Sequence, residues 1–398
     1  MNSEKTTKLY KAYKYRIYPT GIQEAYFWEC FHAARFVWNK MLFDSMESKR
    51  LTGKGKMPTP ASYKADHPWL KSADSFALCN TQLDLKQAYA EFFKQDRFHY
   101  SDRVVARAKR QGRELTFYDF EKHPKFKSKK ASNWHSYTTN NQDSTVAVVD
   151  GKYIKLPKAG LVRCKVHRQI PEGHKIKAAT ISMSATGKFY VSVLTEIETV
   201  IKPVESCNVI GLDFSMSELY VDHNGNEPGF PRYYRNMQAK LAKEQRKLSR
   251  MQKGSNNYNK QKRRISRIHE KIANQRKDFH HKLSNQITND YDTVCVEDLN
   301  MKAMSQCLSF GKSVHDNGWG FFSSMLEYKQ RWKGHHYVEV ERNYPSSKLC
   351  NVCGLLNNKL ELSDREWTCE GCNTYHKRDH NAATNIRNRG IAILADTA

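Results

Sequence analysis

The chain has 398 residues, with 66 Lys and Arg against 41 Asp and Glu, a formal net charge of +25 at pH 7. That length allows a sizeable core and favours two or three domains over one. No apolar run approaches the roughly 18 residues of a membrane span, and Met1-Asn-Ser-Glu-Lys5 is no secretory leader. Membrane and secreted classes are therefore not expected, and the partner of so basic a chain is a polyanion, nucleic acid above all, bound with an affinity that falls steeply with salt.

Lys11-Ala-Tyr-Lys-Tyr-Arg-Ile-Tyr18 alternates bases with rings and reads as a strand stopped by Pro19. A helix is expected from about Ile22 to Met46, with Ala25, Trp28, Phe31 and Phe36 on one side. Lys49 to Lys56 looks like a basic loop, and a second helical stretch covers roughly Ser75 to Asp96, with Phe76, Leu78, Leu83, Leu85, Tyr89 and Phe93. Arg97 to Lys130 interleaves bases with Phe98, Tyr100, Phe117, Tyr118, Phe120 and Phe126. Two readings of it stand: a contact surface for RNA or a single strand, where bases neutralise phosphate and rings stack on nucleobases, or a solvated loop with its rings packed inward. From Thr145 to Thr199 come short β-type runs (Val146–Val149, Tyr153–Leu156, Ile176–Met183, Phe189–Leu194), punctuated by Gly151, Gly173 and Gly187. With the first strand they could close a small barrel around the inserted helices, and Ile201-Lys-Pro-Val204 then reads as a linker.

Val209-Ile-Gly-Leu-Asp213 is a buried-type strand ending in an acid, and Asp292-Thr-Val-Cys-Val-Glu297-Asp298 is a second. An acid at the end of an apolar strand costs desolvation, and a divalent cation is one compensation. Between them, Arg232 to Leu283 holds seventeen Lys or Arg against Glu244, Glu270 and Asp278. Met237, Leu241, Leu248 and Met251 make one apolar stripe, and Ile265, Ile268, Ile272, Phe279, Leu283 and Ile287 make another; Gly254-Ser-Asn-Asn-Tyr258 breaks them apart. Two antiparallel helices are expected, zipped by their stripes, with Lys240, Lys243, Arg246, Lys247, Arg263, Arg264 and Arg267 as candidate nucleic-acid contacts on a basic outer rail.

Cys350-Asn-Val-Cys353 and Cys369-Glu-Gly-Cys372 are two CxxC units at the spacing of a ribbon-type Zn²⁺ site, with Gly354 and Gly371 expected in the knuckle turns. The other six cysteines (Cys30, Cys79, Cys164, Cys207, Cys295 and Cys307) are scattered singly, as in a reducing, intracellular setting. Seven residues after the last ligand, Asp379 stands near the start of an expected helix running from His376 to Ile386. Asp213, Glu297 and Asp379 together supply the minimum carboxylate set for a two-metal phosphodiester hydrolase.

In order and spacing these segments resemble the transposon-encoded TnpB (OrfB-type) family, relatives of the type V CRISPR effectors. The resemblance is carried by Tyr15-Arg-Ile-Tyr-Pro19, Ala34-Arg-Phe-Val-Trp-Asn39, Lys155-Leu-Pro157, Gly211-Leu-Asp213, Asp278-Phe-His-His-Lys-Leu283, Val296-Glu-Asp-Leu299, Gly318-Trp-Gly320, Pro345-Ser-Ser-Lys-Leu-Cys350, the four cysteines and Arg378-Asp-His-Asn-Ala-Ala383. It implies an α/β plus α+β multidomain chain. An RNase H-like RuvC nuclease domain (203–344 and 373–398, with the basic hairpin at 232–290) would carry an inserted zinc ribbon (345–372). It would follow a wedge-like β-barrel domain (1–20 and 131–202) bearing a helical recognition insert (21–130).

The implied activity is RNA-guided cleavage of DNA beside a short transposon-adjacent motif. Two Mg²⁺ would sit at Asp213, Glu297 and Asp379 and one structural Zn²⁺ at Cys350, Cys353, Cys369 and Cys372. The implied partners are a guide RNA from the transposon end, double-stranded target DNA and its displaced single strand, in the cytoplasm and nucleoid of a prokaryotic cell, with neither a protein partner nor a membrane. Glu297 rather than Asp298 matches the family glutamate, and it shares a strand face with Cys295. Phe214-Ser215 departs from the small aliphatic residue and Gly that usually follow the first aspartate, and Lys56 to Asn80, where the adjacent motif is read, is too variable to assign its bases. The rivals are a catalytically silent RNA-guided repressor, disfavoured by the presence of all three acids, and a transposase acting directly on transposon ends, for which no paired-His motif beside a nucleophilic Tyr is seen; His280-His281 lies in the basic hairpin.

Overall fold

The computed structural model describes residues 6–129, 134–202, 204, 206–307, 311–361 and 363–397. The expected domain boundaries at 130/131 and 202/203 fall on residues 130, 131 and 203, outside the described ones. The chain separates into two units, residues 8–199 and residues 200–398 with 1–7.

The first unit opens with β1 (Thr7–Tyr18) and the 32-residue α1 (Gly21–Thr52). Thr20 and Gln23 form a reciprocal capping box at the start of α1, and Gly53 ends it in the left-handed region. The short α2 (Tyr63–Asp66), α3 (Ser75–Phe93) and α4 (Asp102–Arg110) follow. The strands are β2 (Ser136–Asn140), β3 (Ala147–Val149), β4 (Tyr153–Leu156), β5 (Gly160–Lys165), β6 (Lys175–Met183) and β7 (Phe189–Thr199). They join β1 in one sheet of order β2-β6-β7-β1-β5-β4-β3.

The edge strands β2 and β3 are consecutive in the chain and joined by residues 141–146. That connector reaches at most about 25 Å, whereas seven flat strands would set the edges about 29 Å apart. The sheet is therefore curled like a barrel, but β2 and β3 are not hydrogen-bonded neighbours, so the expected closure is replaced by an open seam.

The helix face differs from the expected one. Phe27, Phe31, Ala34, Trp38 and Met41 are buried and Ala25 is exposed. Trp28 and Phe36 are half-buried because they serve a second side of α1, against Trp134 and against His67 and Trp69 respectively. A helix packed on two sides has two overlapping stripes, and the sequence pattern mixes them.

The second unit begins with β8 (Val209–Ser215) and β9 (Leu219–Asp222), then the helical pair α5 (Tyr233–Ser249) and α6 (Asn256–Asp290). After β10 (Thr293–Glu297) come α7 (Met301–Cys307), α8 (Gly311–Asn317), α9 (Trp319–Lys333) and β11 (His336–Val340). A two-stranded ribbon, β12 (Glu366–Thr368) with β13 (Tyr375–Lys377), leads directly into α10 (Arg378–Thr397), so His376 and Lys377 belong to a strand rather than to the expected helix. The central sheet has the order β11-β10-β8-β9, in which β8, β10 and β11 run parallel and β9 antiparallel to β8.

Alternation along these strands decides what each residue faces. Ile210, Leu212, Val294 and Val296 pack with Trp319, Phe322 and Leu326 of α9 and Ile287 of α6. Val209, Cys295, Val338 and Val340 face the other way, with Ile386, Ile393 and Leu394 of α10. Two glycines let α10 lie flat on that face. A Cβ at Gly211 would overlap the Ala383 carbonyl oxygen, and one at Gly390 would overlap the Cys295 sulfur. Gly390→Ala should cost about 1–3 kcal/mol by overpacking, lowering the thermal midpoint by several degrees with guide-independent RNA binding unchanged; a midpoint equal to wild type would show that α10 is not held this tightly.

Candidate active site and metal centre

Asp213 and Glu297 continue the odd-numbered face of β8 and β10, the face that carries α10. Leu212 pairs with Val296, the last pair of the parallel β8–β10 ladder, so the two acids stand side by side just past the carboxyl end of that pairing, the side on which open α/β sheets bind their ligands. Asp213 lies inside β8 rather than at its end, since Phe214 and Ser215 continue the strand against β9. Phe214 packs edge-on to Trp319 at 5.5 Å, and the Ser215 carbonyl accepts from Asn317 Nδ2 at 2.8 Å. Asp379 comes from the first turn of α10. All three acids line one cavity of about 900 Å³, shared with Ser347, Lys348, Arg365 and Arg378.

The electrostatics of the cavity centre on Asp213. Burial first, then the charges of Asp379 and Glu297, push its carboxyl well above the usual range. Glu297 is pushed up to about 7 by burial and by neighbouring Asp298. Asp379 is held by Arg378 Nε at 3.0 Å and by Arg365 Nη1 at 3.6 Å. Asp298 is turned elsewhere, its Oδ2 bound by Arg342 Nη2 at 2.6 Å. Among the described residues, no three carboxylates bring their oxygens within 4.8 Å of one another. At least one of the separations among Asp213, Glu297 and Asp379 is therefore longer than 4.8 Å.

The four cysteines do converge, with Sγ atoms all within 4.8 Å of one another. The Cys350–Cys372 and Cys353–Cys369 separations are 3.6 and 3.5 Å, near the ~3.8 Å edge of a tetrahedron with 2.3 Å Zn–S bonds. The two knuckles are alike. The residue four after the first cysteine of each pair, Gly354 (φ +75°) and Asn373 (φ 55°), is left-handed and donates its N–H to that cysteine's carbonyl at 3.0 and 2.9 Å. The expected role of Gly371 therefore belongs to Asn373, a residue type that tolerates this conformation. The Thr374 hydroxyl and then its backbone amide pull the Cys372 thiol down to about 6, which favours the thiolate a metal needs.

Several residues that the sequence did not single out join the two centres. His376 Nε2 lies 3.1 Å from Cys350 Sγ, placed to orient that sulfur. Asn381 and Asn385, both buried on α10, donate to the Leu349 carbonyl at 2.8 and 2.6 Å, and Asn385 also to Ser346 O at 2.8 Å. Arg365 precedes β12 and reaches Asp379. An Asn on an expected helix reads as a surface residue until its partner loop is known.

The seven candidate contact residues are all exposed on α5 and α6, whose stripes meet through Leu241, Ile265, Ile268 and Ile272. Glu244 is not on the rail. It is buried between the helices, bonded to Gln261 Nε2 at 2.7 Å, with Lys247 at 3.4 Å and Arg264 at 3.7 Å. In the first unit most rings of 97–130 pack on one another, Tyr100 on Phe120 at 4.4 Å and Phe98 on Phe120 at 5.5 Å, but Tyr100, Phe117, Tyr118 and Phe120 are only half-buried and Phe98 and Phe126 are exposed, so the cluster keeps aromatic surface toward solvent. Among the described residues no helix is long and apolar enough to cross a membrane.

Comparison with known proteins gives three family matches: a family described as "Probable transposase" (OrfB of IS605) over residues 192–308, "Cas12f1-like, TNB domain" over 319–386 and "Helix-turn-helix domain" over 9–52. In the last segment the structure has β1 followed by one uninterrupted helix. The chain is 32% identical, over 97% of its length and 90% of the relative's, to a Streptomyces pristinaespiralis protein named "Putative RNA-guided DNA endonuclease". It is 30% identical, over 98% and 94%, to the Escherichia coli K12 protein "Putative RNA-guided DNA endonuclease InsQ". Among solved structures, a Cas12f1–sgRNA–target DNA complex is similar with a TM-score of 0.47 and 14% identity, over 96% of this chain and 99% of that one.

Proposed function

Because the chain belongs to the TnpB family of transposon-encoded RNA-guided DNA endonucleases, relatives of the type V CRISPR effectors, we propose that Asp213, Glu297 and Asp379 form its hydrolytic centre. The protein is a TnpB-type RNA-guided DNA endonuclease. The observation that supports the site is the meeting of three acids, from β8, β10 and α10, in one cavity at the carboxyl ends of parallel strands.

The donor set fits two Mg²⁺. Asp213, buried beside two other acids, is strained by desolvation and by like charge in a way that dications would relieve, and Asp213, Glu297 and Asp379 would hold the ions between them. Bound there, such ions supply a polarised phosphate and an activated water. Lys348, Arg365 and Arg378 line the same cavity and would neutralise the phosphates of the strand lying in it. The four cysteines would hold one Zn²⁺, fixing the ribbon from which Arg365 and the start of α10 project.

In this reading residues 1–20 and 131–202 are the wedge-like domain and 21–130 its helical recognition insert. Residues 203–344 and 373–398 are an RNase H-like RuvC domain interrupted by the zinc ribbon. Guide RNA from the transposon end reads the target by base pairing, and the protein contributes the adjacent-motif contacts and shape recognition. The rail of α5 and α6 would follow a nucleic-acid backbone. Replacing Lys240, Lys243 and Arg267 with Gln should flatten the log–log salt dependence of duplex binding by about 2–3, at roughly 0.9 for each phosphate no longer neutralised; an unchanged slope would remove the rail from the interface.

The deciding experiment expresses the chain with its flanking transposon DNA and sequences the RNA that survives a high-salt wash. A discrete RNA with a constant scaffold and a variable end is expected, and changing that end should redirect cleavage in Mg²⁺. Heterogeneous RNA that washes away, or cutting indifferent to the RNA, would overturn the proposal.

A further inference from the structure

The aromatic and basic stretch after α3 folds, with α1 and α3, around a second cavity of about 420 Å³ within residues 8–199. Its walls include Tyr89 and Phe93 of α3, and Phe117, Tyr118 and His123 from beyond α4. Tyr89 and Phe93 lie nearly parallel, 16° apart, with centroids at 6.2 Å. His123 stands edge-on to Tyr89, Phe117 and Tyr118 at 5.4–5.6 Å. Lys49 and Lys86 also line the cavity, Lys49 Nζ lying 3.5 Å from the Phe117 centroid, and among the described residues no carboxylate does.

His123 completes the aromatic wall. His123 is 3% exposed, and its Nδ1 donates to the Pro124 carbonyl at 2.9 Å, since a carbonyl only accepts. Nε2 is left as an acceptor, buried and without a hydrogen-bond partner. Burial lowers the pKa of this ring, which keeps Nε2 unprotonated near neutrality. The ring therefore enters the cavity wall uncharged and closed to solvent, as a surface for a base to lie on.

We propose that this cavity holds one unpaired nucleotide of the bound RNA. Its base lies against the rings that line the cavity, and its phosphate is met by Lys49 and Lys86. The cavity volume suits a single small-molecule-sized group rather than a length of strand. RNA is favoured over target DNA because RNA loops and bulges present bases already unstacked, whereas a duplex base must first be unpaired. This inference rests on the guide-RNA reading above.

The test uses the full-length chain with its co-purified RNA, irradiated at short ultraviolet wavelength, digested and mapped by mass spectrometry. A single-nucleotide adduct is expected on the peptide holding Phe117 and Tyr118 or on that holding Tyr89 and Phe93. The Lys49→Gln/Lys86→Gln double variant, which spares the ring packing, should weaken RNA binding about ten-fold and diminish the adduct. A discrete RNA retained by wild type and variant alike, with no adduct at these peptides, overturns the cavity proposal and leaves the guided-nuclease reading standing. An adduct that appears only with a DNA strand also overturns it. Wild-type protein holding no discrete RNA defeats both.

Discussion

Asp213→Asn should reduce target cleavage at least about 10³-fold, the scale of several kcal/mol of metal-borne transition-state stabilisation, and at the same time raise the thermal midpoint of the magnesium-free protein. The two effects share a cause. Burial and the charges of Asp379 and Glu297 push the Asp213 carboxyl above its ordinary value. A carboxyl whose folded pKa exceeds its unfolded one favours the fold while protonated and loses that contribution as pH rises through the folded pKa. Above its unfolded pKa, and so at neutral pH, the carboxyl is therefore a liability that the isosteric amide removes, an exchange of stability for function expected of a catalytic group. Magnesium should reverse the ranking, raising the midpoint of wild type by mass action and leaving the variant where it was. Differential scanning fluorimetry with and without Mg²⁺, beside a cleavage time course, reads both effects. A variant that still cuts would remove Asp213 from the site, and one destabilised without magnesium would contradict the electrostatic argument.

Cys369→Ser should bring bound zinc below one ion per chain and lower cleavage by at least about 100-fold, while leaving RNA retention by residues 8–199 intact. Apparent binding energies of structural zinc are about 10–16 kcal/mol, so a ribbon that loses its ion loses its fold. The loss would reach the proposed active site by two short routes, one along the backbone and one through hydrogen bonds. β13 runs without a loop into α10, two residues from Asp379, and Asn381 and Asn385 tie α10 to Leu349 beside the first knuckle. Metal analysis and cleavage of the same preparation test this; full cleavage by zinc-free protein would show that α10 keeps its place without the ribbon.

The features legible in the sequence are those encoded by a few consecutive residues. Val209–Asp213 and Thr293–Glu297 announce buried strands because nearly every residue is apolar, and alternation alone puts Glu297 on the Cys295 side. The basic hairpin is visible in its 3–4 residue stripes, and the ribbon in its paired cysteines. Signals that depend on a partner far along the chain were not legible. β2, Ser-Tyr-Thr-Thr-Asn, is polar by composition and becomes a strand only by pairing with β6. Gly390 reads as a weak point in a helix until Cys295 is seen beneath it. Glu244 is counted as surface charge until Gln261 is found across the hairpin. The expected barrel closure failed at its seam for the same reason, since strand propensity says nothing about which edges meet.

The order of the acids along the chain also has a consequence for synthesis. Asp213 and Glu297 emerge from the ribosome well before Asp379, which lies about 160 residues after Asp213. At the ~5–20 residues per second of translation, β8 waits roughly ten to thirty seconds for the helix that covers it. Until then one face of the β8–β10–β11 sheet is bare, and the set of acids is incomplete. On the proposed reading, a chain released before residue 379 would carry two of the three acids, and it should engage RNA without cutting DNA until α10 is added.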